Sequence, residues 1–93
     1  MRYERKPAFE RTARRLPPDR KERVKSAVRQ LVIFFETKQL PQGLGLKRLR
    51  GDFWEVRAGL GDRIILRLSG ELVEFALVGH HDEMARFLRQ NTS

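Results

Sequence analysis

The spacing of apolar positions changes once along the chain, from a helical period to a strand period. Phe9, Ala13 and Leu16 recur at helical spacing and predict an amphipathic helix of about two turns, with Arg11, Arg14 and Arg15 on its other side. That helix must stop before Pro17-Pro18, because the residue preceding a proline is pushed out of the helical region. Asp19 then reads as an N-cap. Val24, Ala27, Val28, Leu31, Phe34 and Phe35 form one stripe along a second helix of about five turns, and Arg20, Lys21, Arg23, Lys25 and Arg29 lie outside it. Two helices joined by so short a turn make an antiparallel hairpin whose stripes need a common partner.

From Leu46 onward the period becomes two. Residues 53–59, 62–69 and 71–78 read as strands, separated by Gly59-Leu60-Gly61 and by Ser69-Gly70, spacings that suit consecutive hairpins. Alternation puts Trp54, Val56 and Ala58, Ile64, Leu66 and Leu68, and Val73, Phe75 and Leu77 on one face. Phe53, Glu55 and Arg57, Arg63, Ile65 and Arg67, and Glu74, Ala76 and Val78 fall on the other. One face is therefore apolar, and the other carries arginines that no core position claims. Residues 81–90 close the chain as a short helix with Met84, Phe87 and Leu88 as its stripe. Asp82 and Glu83 suit its first turn, where exposed N–H groups and the helix dipole favour acids. The fold class expected is α+β: an N-terminal antiparallel helical hairpin packed on a twisted antiparallel β-sheet, with a short C-terminal helix. At 93 residues this is one domain, residues 1–93.

Charge changes the picture from fold to partner. The net charge of +8 is uneven: residues 1–50 hold 15 Lys and Arg against 5 Asp and Glu, and residues 51–93 hold 5 against 7. Basic side chains gain affinity for polyanions by releasing the counterions condensed on phosphates, so such a balance is that expected of a nucleic-acid binder. No cysteine is present, which removes disulfides and thiolate metal sites and fits a reducing compartment, so the cytoplasm is the expected location. No apolar run approaches the roughly 20 residues of a bilayer crossing, and the N-terminus lacks a secretory h-region. No membrane role is expected.

The candidate chemistry is concentrated in Val78 to Met84, which contains both histidines, His80 and His81, followed by Asp82 and Glu83. A metal site is not expected: neighbouring residues point apart on a strand or a helix, and no other His or Cys exists to complete one. No cofactor is expected either. General acid–base chemistry fits better, since imidazole titrates near neutral pH and the arginine face ends where Gly79, His80 and His81 begin. Guanidinium groups beside one imidazole can hold a phosphodiester and stabilise its pentavalent transition state. The same pattern equally suits surface histidines beside a solvated sheet face.

The ordered set Leu49-Arg50-Gly51, Trp54 to Arg57, Gly61 to Leu66 and Val78 to His81 resembles the RelE/ParE superfamily of bacterial toxin–antitoxin toxins, across nearly the whole chain. The resemblance implies a toxin held by a cognate antitoxin. In its RelE branch it implies a ribosome-dependent endoribonuclease that cuts mRNA without metal, by attack of the ribose 2′-OH on the adjacent phosphate, and so inhibits translation. Residue by residue, it gives Arg57 and Arg63 phosphate-binding or transition-state roles. His81 becomes the proton carrier, and Asp62 falls where YafQ-like members carry a catalytic aspartate. Lys47, Arg48 and Arg50 supply further basic groups to the RNA, with Arg67 and His80 beside them. Glu55 stands where RelE proper has a lysine base, and Phe87 stands near a functional tyrosine without its hydroxyl, so the YafQ-like branch is the nearer. The alternative is the ParE branch, which inhibits DNA gyrase without nuclease activity.

Overall fold

A computed structural model describes residues 1–91 of the chain. Eight elements follow one another: β1 (Arg2–Arg5), α1 (Pro7–Arg14), α2 (Pro18–Thr37), β2 (Lys47–Arg48), β3 (Phe53–Arg57), β4 (Arg63–Ser69), β5 (Leu72–Gly79) and α3 (His81–Asn91). The strands form one sheet in the order β1-β5-β4-β3-β2. The α+β architecture expected from the sequence is present, with the helical hairpin on one face of the sheet and α3 on the other. Among the described residues no helix is long and apolar enough to cross a membrane.

The main core lies under the hairpin. Phe9, Val24, Ala27, Leu31 and Phe35 from the helices meet Val56, Ile64, Leu66, Val73, Phe75 and Val78 from the sheet, all buried. The rings of Phe9 and Phe75 lie 5.6 Å apart, within the range where tilted aromatic pairs add to simple burial. A second, smaller core sits on the opposite face, where Met84, Phe87 and Leu88 of α3 cover Ile65, Ala76, Leu77 and Phe53. The face read as carrying unclaimed arginines is thus claimed over part of its area.

Four expectations need correction. The sheet is mixed, because Arg2–Arg5 adds an edge strand parallel to β5, anchored by Arg2 N–H to the Glu71 carbonyl at 2.7 Å and Lys6 N–H to the Phe75 carbonyl at 2.9 Å. Asp19 is not the cap of α2. Pro17 occupies that position and Pro18 the first helical turn, where a missing N–H costs nothing. Helix α1 begins at Pro7 and ends at Arg14, two residues ahead of the span read from the sequence. Finally, Leu77 and Val78 exchange faces.

That exchange has a local cause. β4 and β5 are in register from Arg67↔Glu74 to Leu66↔Phe75, but the next pair is Ile65↔Leu77, which leaves Ala76 as the extra residue of a β-bulge. A bulge shifts the alternation by one. Ala76 and Leu77 therefore both serve the α3 core, and Val78 returns to the main one. Its N–H beyond the bulge donates to the Thr12 hydroxyl of α1 at 3.1 Å.

Candidate active site

The strand register decides which charged side chains meet. Lys47 of β2 pairs with Glu55 of β3, and Arg57 of β3 pairs with Arg63 of β4. All four stand on the face that α3 covers only in part. Together with Gly45 and Leu46 they line a concave site of about 340 Å³. Glu55 is 7% exposed, and one of its oxygens accepts a short hydrogen bond from Arg63 Nη1. Three cations thus surround one carboxylate. Gly45 lets them close up: at φ +66° it adopts the left-handed region, and a Cβ there would stand 3.3 Å from Arg57 Nε.

Of the residues expected from the sequence, the structure brings Lys47, Arg57 and Arg63 together. Arg48 alternates to the other side of β2 and donates through Nε and Nη2 to the Gly51 carbonyl, each at 3.2 Å. Arg50 is exposed in the turn leading into β3. Arg67 lies four residues along β4 from Arg63, about 13 Å away, and belongs to a different cluster: its Nη1 is 3.7 Å from buried Glu74, whose other oxygen meets Lys6 Nζ at 2.9 Å.

Asp62 is engaged elsewhere. It accepts a bidentate pair from Arg20 of α2, at 2.8 Å from Nε and 2.6 Å from Nη2. The hydrogen bonds from Arg20 hold the Asp62 carboxyl below its ordinary value, against the opposing effect of burial. The aspartate therefore ties the β3–β4 turn to the start of α2 and lies outside the cation cleft. Nothing in the sequence signalled this partner, since Arg20 is one of several arginines on the helix and 42 residues away.

The histidines sit at the junction expected for them. His80 N–H donates to Glu83 Oε1 at 2.9 Å, and its Nδ1 lies 3.3 Å from the Gly61 carbonyl. Glu83 thus caps the N-terminus of α3 as the third helical residue, which bears out the structural reading of the acids after the histidines. Gly79 permits the cap, because a Cβ at that position would stand 3.0 Å from the Glu83 carboxyl carbon. His81 is the first residue of α3 and exposed. It follows Gly79, the register partner of Arg63, but is not among the residues lining the cleft. Phe87 contributes packing: its ring meets Phe53 edge to face at 5.7 Å. Among the described residues no group of three or more His, Asp or Glu is placed to hold a metal ion.

Compared by sequence, the chain matches no protein-family profile and no curated relative. Compared by structure, it matches the toxin of the DinJ–YafQ complex of E. coli with a TM-score of 0.71 at 17% identity, over 90% of this chain and 98% of that one. The RelB–RelE antitoxin–toxin complex of Methanococcus jannaschii gives 0.69 at 17% identity, over 90% and 96%. The fold is that of the RelE/ParE toxins. A YoeB/ParE toxin from Agrobacterium tumefaciens matches with a TM-score of 0.63 at 19% identity, over 87% of this chain and 99% of that one. Within this RelE-like frame the cation cleft occupies the open end of the sheet face, beyond the edge of α3.

Proposed function

We propose that the chain is the toxin of a bacterial type II toxin–antitoxin pair, acting as a metal-independent endoribonuclease that cuts mRNA on the ribosome and so arrests translation. The cleft carries this reading: Lys47, Arg57 and Arg63 converge on one concave site in a fold shared with RelE and YafQ toxins. In the proposed reaction the ribose 2′-oxygen forms a bond to the adjacent phosphorus while the bond to the 5′-oxygen breaks. The guanidinium groups stabilise the charge that builds on the phosphoryl oxygens. His81, at the start of α3, gives the leaving oxygen its proton.

A cognate antitoxin is proposed on the same basis, because the similar structures include toxins bound to theirs. A groove of about 560 Å³ between α1 and α2 suits an acidic amphipathic segment of it, with Phe9, Ala13, Val24 and Val28 as apolar lining and Arg14, Lys21 and Arg29 among its basic residues.

Inducing the wild-type and His81→Ala chains in turn, with transcript ends mapped, tests the reading. Wild type should leave messages cut at discrete positions. His81→Ala should slow cleavage by about 10²–10⁴ with an unchanged unfolding midpoint, and full toxicity of that variant would remove His81 from the mechanism. One observation favours a second reading, a gyrase inhibitor of the ParE kind: His81 stands outside the residues that line the cleft. Growth arrest with intact transcripts and accumulating double-strand DNA breaks would establish it instead.

A further inference from the structure

Leu60, at the tip of the β3–β4 turn, is 103% exposed, the highest value of any large hydrophobic residue among those described. A lone exposed apolar side chain is ordinary on a protein surface. This one differs in how firmly its backbone is held. Ala58 N–H donates to the Asp62 carbonyl at 2.9 Å and closes the turn. The buried Asp62 carboxylate is gripped by Arg20, and the Gly61 carbonyl lies 3.3 Å from His80 Nδ1. The stem of Arg23 lies so close to Gly59 that a Cβ there would stand 2.8 Å from its Cδ. Helix α2 and the junction before α3 thus fix the turn from two sides, and the Leu60 side chain is left wholly to solvent.

Turn chemistry does not call for a leucine. Asn, Asp, Ser and Gly suit such a bend because they tolerate or cap it, and an apolar side chain in water adds nothing to the core. The flanking Gly59 and Gly61 carry no side chains that would shield it. The ladder beneath it ends in cations: Arg57 and Arg63 are the last register pair before the turn, each three residues from Leu60 and so at most about 11 Å along the chain. An apolar tip beside guanidinium groups suits a ligand that is anionic along its backbone and apolar on its faces, as single-stranded nucleic acid is. Resting on the ribonuclease reading, we propose that Leu60 is a base-contacting wedge. It packs against the face of a base flanking the cut linkage and parts that base from its stacked neighbour, while the cleft holds the phosphate. Leucine serves as such a wedge between the base steps of bent DNA. Every base has a face, so the contact adds grip with little sequence preference.

The test compares wild type with Leu60→Ser and Leu60→Met on ribosomes programmed with three messages. Each message carries a 2′-deoxynucleotide at the mapped cleavage site, so that binding is read without cutting. One is otherwise intact, and the other two have an abasic nucleotide on one or the other side of the linkage. Leu60→Ser should weaken binding to the intact message about tenfold, the loss expected when a leucine is partly buried in the complex. Leu60→Met, of similar volume, should bind as wild type does. One of the abasic messages should weaken wild type by a similar factor and remove the difference between wild type and Leu60→Ser. Unfolding midpoints should coincide, because the side chain takes no part in the core. Equal weakening by Leu60→Ser on all three messages overturns the proposal, and so does wild-type affinity of that variant. In the latter case, loss of copurification with the cognate antitoxin would assign the turn to that protein instead. Wild type that arrests growth and leaves transcripts intact defeats the ribonuclease reading and the wedge with it; wild type that cuts while Leu60→Ser binds equally well defeats the wedge alone.

Discussion

The two faces of the sheet are built for different ends. Toward α1 and α2 the strands offer an apolar surface in which Val56, Ile64, Phe75 and Val78 are all buried beneath the helices. Toward α3 the covering is partial: Ile65, Ala76 and Leu77 are buried, then the apolar surface gives way to Lys47, Glu55, Arg57 and Arg63. Arg57 and Arg63 are register partners, and like charges directly opposite each other destabilise a sheet. A strand pair selected for stability alone would not keep them. The contrast puts the continuous core on one face and a concentration of charge on the open end of the other.

The sharpest way to break this division is through its covered side. Phe75 is buried against Phe9 at the centre of the main core, so Phe75→Ala should cost about 3–5 kcal/mol, a large share of the roughly 5–15 kcal/mol that holds a domain of this kind. Denaturant unfolding followed by circular dichroism measures it. A loss below about 1 kcal/mol would mean that the hairpin and the sheet do not share one cooperative core.

The open side should respond in the opposite manner. Arg57 is exposed and faces Arg63, so Arg57→Ala should leave stability within about 0.5 kcal/mol of wild type. Its effect should appear in RNA affinity, weakened by about 1.5–3 kcal/mol for a lost charged hydrogen bond. The slope of log affinity against log salt should also fall by about 1. Equal damage to folding and binding would merge the two faces into one structural unit.

How far the sequence disclosed this arrangement depends on which signal each part uses. The helices and three long strands were legible because burial of one face imposes a period, and Val24, Ala27 and Leu31 or Ile64 and Leu66 display it directly. β1 was not legible: Arg2 to Arg5 are all exposed, and an edge strand held by backbone hydrogen bonds leaves no hydrophobic pattern. The bulge at Ala76 was equally hidden, since one extra residue in an apolar strand changes faces without changing composition. For the site, alternation was enough to put Arg57 and Arg63 on one face, but not to separate Arg67, which register alone assigns to Glu74. Asp62 shows the limit most plainly. Its position in the chain suggested chemistry, whereas the contact it makes is with a partner 42 residues away.

That partner supplies a third test, at the seam between the two regions. The Asp62 side chain is 4% exposed and that of Arg20 is 32% exposed, so Asp62→Asn removes a largely desolvated charge pair and should cost about 1–3 kcal/mol at neutral pH. The folded-state pKa of Asp62 lies below the ordinary 3.8, chiefly through the hydrogen bonds from Arg20. The stabilisation is therefore fully present above that ordinary value and is lost as pH falls through the lower, folded one. Unfolding curves of wild type and variant, compared across pH, should converge in acid and stay apart above it. A constant gap at every pH would assign the cost to packing. Cleavage by the variant at the wild-type rate, where folded, would confirm that Asp62 serves the seam and not the cleft.

The smallest expected effect comes from the covered side and has the opposite sign. Helix α2 ends at Lys38, which adopts the left-handed conformation at φ 63° and donates its N–H to the Phe34 carbonyl at 2.7 Å. For a residue with a Cβ that conformation costs about 1–2 kcal/mol. Glycine is freed of that cost but has more freedom to lose on folding. Lys38→Gly should therefore stabilise the chain by about 0.5–1 kcal/mol, seen as a higher denaturant midpoint with an unchanged slope. Lys38 lies at the end of the hairpin, outside the cleft lining, so RNA cleavage should not move. Destabilisation instead would show that the lysine side chain does work at the helix end that outweighs the backbone strain, and would place a charged contact on the face assigned here to apolar packing alone.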